Sequence, residues 1–550
     1  MRYAVNSMQM KMIDDYTVQV HHTSALELME RAAEAVAAVV MKQADKADRI
    51  LVICGPGNNG GDGVAAGRLL FIQGYHVAIL FVGEEGKTSK AMEIQLEKAK
   101  KLGVPIDNTN KPHEYNESMV RRGITEMVSG HEVLIDALFG VGLSRDVTGE
   151  YEAVINIMNN SKKTVYAVDI PSGISADSGK VMNAAVRADV TITFGYRKQG
   201  LLLYPGAEHA GRIIAADIGF PETAALQADP DTFYYGEEDL DRLPVRREYS
   251  NKGTYGKVLV IAGSKGMSGA AYLAAKAAYR TGAGLVKILT SEANRIILQT
   301  SLPEALFSAY DEGADSEERL QKLQENLDWA SVIVIGPGLG GSAIAEELTD
   351  TVIKYAGVPL IIDADGLGLV AKELSRRSKD DGIIPAGQFP ADTVPDGVAE
   401  DKVNKRIVLL SEYLKADTIL TPHLKELSGL LKMTLPEITD NLIDTARRCT
   451  YNNKLIYVIK DARTIVAQQK SRYINVSGNH GMATGGSGDV LTGIIAGLIA
   501  QGMKPYEAAC LAVYIHGRAG DAAARRKGTY SMMAGDIVDS IEEVLPKQQI

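Results

Sequence analysis

Asp489 follows directly on a run of small residues, ATGGSG (Ala483 to Gly488), inside the stretch GNHGMATGGSGDVLTGIIAGLIAQG from Gly478 to Gly502. So few side chains let successive backbone N–H groups crowd around an anion, and phosphate is the natural guest. From Asp489 onward the pattern is apolar with glycines at intervals, which predicts a buried helix whose N-terminal N–H groups point at the same anion. One helix terminus contributes only about 0.3–1 kcal/mol to an exposed charge, so a nucleotide ligand needs loop and helix together. A carboxylate beside a phosphate is repelled unless it has a proton to take, and a substrate hydroxyl is the obvious donor. The same aspartate also suits a helix N-cap.

A second glycine loop, GPGNNGGDG (Gly55 to Gly63), runs out of the apolar stretch RILVIC. Glycine spacing alone is a weak signal, since a tight turn uses the same residues. Asn58, Asn59 and Asp62 add side-chain oxygens that can hold a hydrated or ionic ligand while the backbone approaches a phosphate. Two further motifs close predicted strands: DALFGVGLSRDVTG, from Asp136, and AVDIPSGISADSG, with Asp169 and Ser172.

These loops need a parallel sheet behind them. Residues 7–43 read as two helices, the second opened by Ser24, and Arg49 to Cys54 reads as a buried strand. Strands and helices then alternate through YHVAILFVG, KAMEIQLEKAKKLG, NESMVRRGITEMV and HEVLIDALFG. That order predicts a doubly wound α/β domain of Rossmann-like type, with its ligand beyond the carboxyl ends of the strands. Past an acidic, irregular join, expected over 226–250, the pattern resumes with YGKVLVIAGSKG, an alanine-rich helix, SVIVIGPGLGGS and PLIIDADGL. Asp363 and Asp365 close this last strand, where either could assist a magnesium ion through water or cap the next helix, the cap being favoured. Residues 375–406 are polar and rich in Pro, Gly and Asp, the signature of a surface insertion. His516 falls on an apolar helix and reads as structural.

With 550 residues the chain exceeds what one core organises, so two domains are expected, 1–225 and 251–550. A net charge of −10 argues against a nucleic-acid or anionic-membrane surface, so a phosphate ligand must be held by local amides and a few cations. Three separated cysteines, Cys54, Cys449 and Cys510, show neither disulfide framework nor metal spacing and read as buried hydrophobes of a reducing cytoplasm. The N-terminal stretch is broken by acidic and polar residues, so no signal peptide or membrane span is expected.

The Gly-x-Gly-Asp ending at Asp489 resembles that of ribokinase-like enzymes. The longer NHGMATGGSGDVLTG resembles the C-terminal domain of the NAD(P)H-hydrate repair enzymes, the ADP/ATP-dependent dehydratases. GNNGGDG, DALFGVG, DIPSG and TFGYRKQG together resemble the N-terminal NAD(P)H-hydrate epimerase domain of the same family. The resemblance implies that Asn58, Asn59, Gly60, Gly61, Asp62, Asp169 and the loop of Gly140, Val141, Gly142, Leu143, Ser144, Arg145 and Asp146 contact the hydrated dinucleotide. Asn59, Asp136 and Ser172 match its potassium ligands, an oxygen-only set suited to a hard cation. Asp169 is the implied acid/base group there, with Lys198 assisting.

In the dehydratase half, the resemblance places Ala271, Gly338, His423 and Asp489 at the substrate. It places ADP, or ATP, on Lys460, Asp461, Ala462, Arg463 and Thr464 together with Gly481, Met482, Ala483, Thr484, Gly485, Gly486, Ser487 and Gly488, with Mg2+ alongside. Two positions depart from the family pattern: Lys425 stands in its His-Pro-Gly-Glu segment, and Asp461 replaces a glycine. The implied reaction has Asp489 take the C6-hydroxyl proton of NADH or NADPH hydrate while a phosphoryl group transfers, after which the ring nitrogen expels phosphate. A homo-oligomer acting on small molecules is expected. The alternative is a ribokinase-type small-molecule kinase fused to a non-enzymatic nucleotide-sensing domain.

Overall fold

Ile50, Val52 and Cys54 pack into one buried cluster and Leu51 and Ile53 into another, so the strand Arg49–Cys54 is covered by apolar layers on both faces. That requires helices on both sides of a parallel sheet, and the computed structural model supplies them. It describes residues 1–84, 86–109, 117–380 and 402–546 and divides into two compact units, Tyr3–Thr232 and Phe233–Ile550, the latter with Met1–Arg2.

In the N-terminal unit the strands lie in the order Ile106–Asn108, His76–Phe81, Arg49–Cys54, Val133–Ala137, Thr164–Val168, Val190–Phe194 and Arg212–Ala216. All six pairings are parallel. Helices Ala25–Met41 and Asn58–Ile72 pack on one face, Glu117–Ser129 and Glu150–Asn160 on the other. Ser24 caps its helix by accepting from the Glu27 N–H at 3.1 Å. The strand order reverses between Arg49–Cys54 and Val133–Ala137, so the crevice between their carboxyl ends is where a ligand belongs. Val5 pairs with Lys198, which sets the following helix, Ser7–Gln19, beside that lysine.

In the C-terminal unit seven strands run parallel in the order Leu306–Tyr310, Leu285–Ser291, Lys257–Ile261, Val332–Ile335, Leu360–Ile362, Ile419–Leu420 and Ile456–Ile459. Ile465–Gln468 and Ser471–Ile474 extend it antiparallel. Every residue of helix Ser487–Ala500 from Val490 onward is buried, as its unbroken apolar pattern demands. It lies against the alanine-rich helix Ser268–Thr281 so closely that a Cβ on Gly493 would stand 2.2 Å from the Ala274 carbonyl oxygen.

The stretch expected as a join, 226–250, holds the strand Thr232–Tyr234 and a 3-10 turn, Glu237–Arg242. The flanks of the expected insertion are helical, Asp365–Asp380 and Lys402–Tyr413, and its middle, 381–401, lies outside the described residues. All three cysteines are buried and free. Among the described residues no helix is long and apolar enough to cross a membrane.

The helix contact at Gly493 sets a test. Gly493→Ala gains up to about 1 kcal/mol of helix propensity but forces a carbonyl and a methyl together, an overpacking cost of about 1–3 kcal/mol. The clash should win and lower the urea midpoint of this unit. Gly429→Ala, which meets nothing within 4 Å, should hold or raise it. The chain's single tryptophan, Trp329, lies in this unit, so its fluorescence reads the transition.

Candidate active sites

Gly55 leaves the strand Arg49–Cys54 hard against its neighbour: a Cβ there would lie 2.1 Å from the Leu138 carbonyl oxygen. The chain then enters helix Asn58–Ile72 with Gly57 at the N-cap and no side chain bonding the first turn. Uncapped N–H groups at a strand's carboxyl end form an anion cradle. Asn59 sits in that turn with its Nδ2 buried and unbonded, and its Oδ1 is 3.1 Å from where a Cβ on Gly140 would be. The Gly140–Asp146 loop thus abuts the cradle, with Gly142, Ser144, Arg145 and Asp146 exposed.

Asp136, fully buried, accepts from the Ser172 hydroxyl at 2.6 Å, the Ser172 N–H at 2.8 Å and the Leu138 N–H at 3.3 Å. Burial pushes its carboxyl up to about 6 against the pull of those hydrogen bonds. All three donors are neutral. A buried carboxylate served by neutral donors, with the Asn59 amide in the neighbouring turn, is an oxygen set suited to a hard cation.

Asp169, in the left-handed region at φ 64°, ends the strand Thr164–Val168. Its Oδ1 accepts from the Thr193 hydroxyl and the Phe194 N–H, both at 3.1 Å, and from Lys198 Nζ. Lys198 is fully buried and also donates to the Thr193 hydroxyl at 2.9 Å and the Phe194 carbonyl at 3.2 Å. Two more carboxylates face this pair. Burial, then Asp169 and Asp14, raise Asp62 well above the ordinary range. Burial also carries Asp14 up to about 7, Lys198 opposing and Asp169 and Asp15 adding to the rise. Asp14 belongs to helix Ser7–Gln19, whose sequence reads only as a packing element.

In the C-terminal unit the glycine loop is anchored from helix Pro505–Lys527, where Asp521 accepts from the Gly478 N–H at 3.1 Å and the Asn479 amide at 3.0 Å. Gly486, at φ 89°, occupies the N-cap of helix Ser487–Ala500, again without a side-chain cap. Asp489 therefore does not cap the helix; it stands in the first turn. Burial, then Asp363, push its carboxyl up to about 7, with Lys460 opposing. A group poised near neutrality suits a general base.

Lys460 Nζ donates to Asp363 Oδ1 at 2.8 Å, and the Thr421 and Thr492 hydroxyls donate to Asp363 at 2.6 and 2.7 Å. Asp363 is buried and does not cap the following helix as expected, because its oxygens are taken by these donors. Burial disfavours its charge, but Lys460 and the two hydroxyls outweigh it and hold the carboxyl below the usual range. The neighbouring Asp365 accepts from the Gly340 N–H at 2.8 Å. A carboxylate so saturated does not fit as a direct ligand of magnesium, which leaves it a contact through water.

Lys460, Asp461, Ala462, Arg463 and Thr464 form the turn between antiparallel strands, and Asp461 fits there without left-handed backbone. Gly485 is open, and a Cβ on Gly488 would meet Lys460 Nζ at 3.2 Å, so the turn and the glycine loop face one space. His516 Nε2 lies 3.3 Å from the Ser487 hydroxyl, and burial holds it down at about 4, hence neutral. His423 caps helix Leu424–Leu431 in a reciprocal box with Glu426. Gly338, at φ 58°, faces Met267 and Ala270. Ala271 is fully buried, so its side chain offers no surface to a substrate.

Two glycine cradles, each with a raised carboxylate and an Asp–Lys pair, fully buried at Lys198 and partly exposed at Lys460, define an enzyme handling phosphate-bearing ligands at two centres. Residues 25–200 match the family described as YjeF-related protein N-terminus, and residues 258–384 and 393–543 match NAD(P)H-hydrate dehydratase. The bifunctional NAD(P)H-hydrate repair enzyme of Thermofilum pendens is 33% identical over 98% of this chain and 95% of its own length. That of Moorella thermoacetica is 34% identical over 99% and 96%. The ADP/ATP-dependent NAD(P)H-hydrate dehydratase of Bacillus subtilis, a solved structure, is 26% identical over 56% of this chain and 96% of its own, with a TM-score of 0.44. The chain belongs to the family of bifunctional NAD(P)H-hydrate repair enzymes. Both halves carry the match, which leaves no need for the kinase-plus-sensor alternative.

The raised Asp489 has a consequence for stability. The native state holds its proton up to about pH 7, whereas an unfolded aspartate releases it near 3.9. Between those values the unfolded state binds fewer protons, so this group costs stability as pH rises from about 4 to 7 and no more above that. Relative to wild type, Asp489→Asn should therefore gain urea resistance between pH 4 and 8, read from Trp329 fluorescence; an unchanged difference would refute the shift.

Proposed function

We propose that the two centres divide one repair task on NADH and NADPH hydrates. Residues 1–225 act as the epimerase, 226–250 join the halves, and 251–550 act as the ADP-dependent dehydratase. The reading is supported chiefly by each centre having its own uncapped helix N-terminus and its own carboxylates, so neither needs the other's residues to complete its constellation.

In the epimerase centre, the Asn58–Asp62 turn and the Gly140–Asp146 loop hold the dinucleotide, its phosphates on the free N–H groups. Asn59, Asp136 and Ser172 would hold a potassium ion, whose charge would favour the phosphates. Asp169, oriented by Thr193 and charge-balanced by Lys198, moves the proton by which the C6 epimers interconvert.

In the dehydratase centre, the loop Gly481–Gly488 and the turn Lys460–Thr464 hold ADP, with ATP the other nucleotide of the required chemistry. Asp489 takes the C6-hydroxyl proton as that oxygen attacks the terminal phosphoryl group, releasing AMP. The ring nitrogen's electron pair then breaks the C6–O bond and expels phosphate, and loss of a C5 proton restores the dihydronicotinamide. Lys460 meets the phosphoryl charge, while Gly338 and His423 border the substrate.

A stereoisomer-resolved time course separates the roles. Asp489→Asn should slow dehydration by about 10²–10⁴-fold, the usual worth of a general acid or base, with epimerisation intact. Asp169→Asn should clear the S hydrate with ADP normally but leave the R hydrate to slow spontaneous epimerisation. Consumption of both epimers at wild-type rates by Asp169→Asn would remove that residue from the mechanism.

A further inference from the structure

We propose that Asp363 is a positioning residue of the dehydratase centre, aiming the Lys460 ammonium at the mouth of the glycine loop. The inference rests on the dehydratase reading above. Asp363 ends the strand Leu360–Ile362 and is 1% exposed, yet three elements converge on it. Thr421 donates from beyond the next strand, Lys460 from the strand after that, and Thr492 from the helix whose first turn carries Asp489. The same hydroxyl lies 3.1 Å from the Gly488 carbonyl one turn back in its own helix, so its single proton is shared between that carbonyl and Asp363.

The result is a lysine held in place. A Cβ on Gly488 would stand 3.2 Å from Lys460 Nζ and 4.0 Å from Asp363 Oδ2, so the clamp lies directly beneath the anion cradle and a side chain there would have to shift the lysine. A free lysine side chain surrenders rotamer entropy on each binding event; clamped, it has already done so.

The clamp acts on Asp489 through charge as well. Asp363 and, less, Asp365 raise the proton affinity of Asp489, and Lys460 lowers it. Lys460 is in turn faced by Glu426, 4.0 Å away, and its charge is felt at the buried His516. Replacing Asp363 by Asn removes a negative neighbour of Asp489 and frees the lysine to turn toward it. Both changes favour the ionised Asp489, so the base form should persist to lower pH.

The test measures pH profiles of kcat/KM and the KM for ADP in the full-length protein, with epimerisation and the Trp329 unfolding transition as controls for folding. Asp363→Asn should move the acid limb down by on the order of one pH unit and raise KM for ADP roughly tenfold, with epimerisation unchanged. A uniform fall in kcat with the limb and KM at wild-type values would reduce Asp363 to a structural residue and overturn the proposal. Thr492→Val decides the matter if the first variant does not fold: it keeps both charges, so KM for ADP should rise about threefold with the limb fixed, and a wild-type KM refutes the clamp. If Asp489→Asn dehydrated at the wild-type rate, the dehydratase reading itself would fall, an outcome distinct from either result at Asp363.

Discussion

Carboxylates and phosphates repel, yet each centre of this protein sets acidic side chains beside a cradle built for anions. The structure meets that conflict in two ways. Free N–H groups at an uncapped helix N-terminus supply partial positive charge, and a buried lysine supplies a full one. The lysine cannot be buried alone, because an isolated ammonium in a protein interior is far too costly. It arrives paired, Lys198 with Asp169 and Lys460 with Asp363. Glycine loops, strand order and threonine hydroxyls all serve to hold these pairs where the chemistry needs them.

Each pair leaves another carboxylate close by and unpaired. In the N-terminal unit these are Asp62 and Asp14, in the C-terminal unit Asp489, and burial raises the proton affinity of all three. A carboxylate fully ionised and well paired is a poor base; one held near neutrality by a crowded, partly buried setting is a good one. The two roles need different environments, and here a lysine is bonded to one aspartate and only nearby for the other. In the C-terminal centre the assignment follows from which carboxylate owns the lysine: Asp363 is bonded to Lys460 and Asp489 is left to act as base, whereas in the N-terminal centre the proposed acid/base group Asp169 is itself the bonded partner of Lys198. For Asp169 that ownership means its proton transfers depend on Lys198, whereas Asp489 is free of direct bonding to Lys460.

The glycine loops, the strand Arg49–Cys54 and the buried helix after Asp489 were legible because each is written in local pattern: apolar runs, missing side chains, a cap at Ser24. The Asp363–Lys460 pair was not, since its partners are 97 residues apart and only the parallel strand order brings their carboxyl ends together. Asp14 was hidden for another reason. The helix Ser7–Gln19 buries Met10, Ile13 and Thr17, so its periodicity announces packing, and nothing local tells that the intervening aspartate meets Lys198. Ala271 rests on the family resemblance alone, and no local pattern marks it; its methyl is fully buried, facing Gly263.

The placement of Gly486 explains why Asp489 can be spared for chemistry. An aspartate in the loop before this helix would ordinarily be drawn into capping, its oxygens spent on the N–H groups of the first turn. Here the cap position is taken by a glycine in the left-handed region, which bends the chain without offering an acceptor. A Cβ at that position would drive into Leu273 at 2.5 Å, so side-chain capping is excluded by packing as well as by backbone. The Gly488 and Asp489 N–H groups therefore stay free for an anion, while that of Ser487 donates to the Thr484 carbonyl, and the aspartate three residues on from Gly486 keeps both oxygens for a proton. Gly57 likewise heads its helix without a side-chain cap, but in extended backbone at φ −84° and with open space where a Cβ would be, so there only the missing side chain keeps the first turn uncapped.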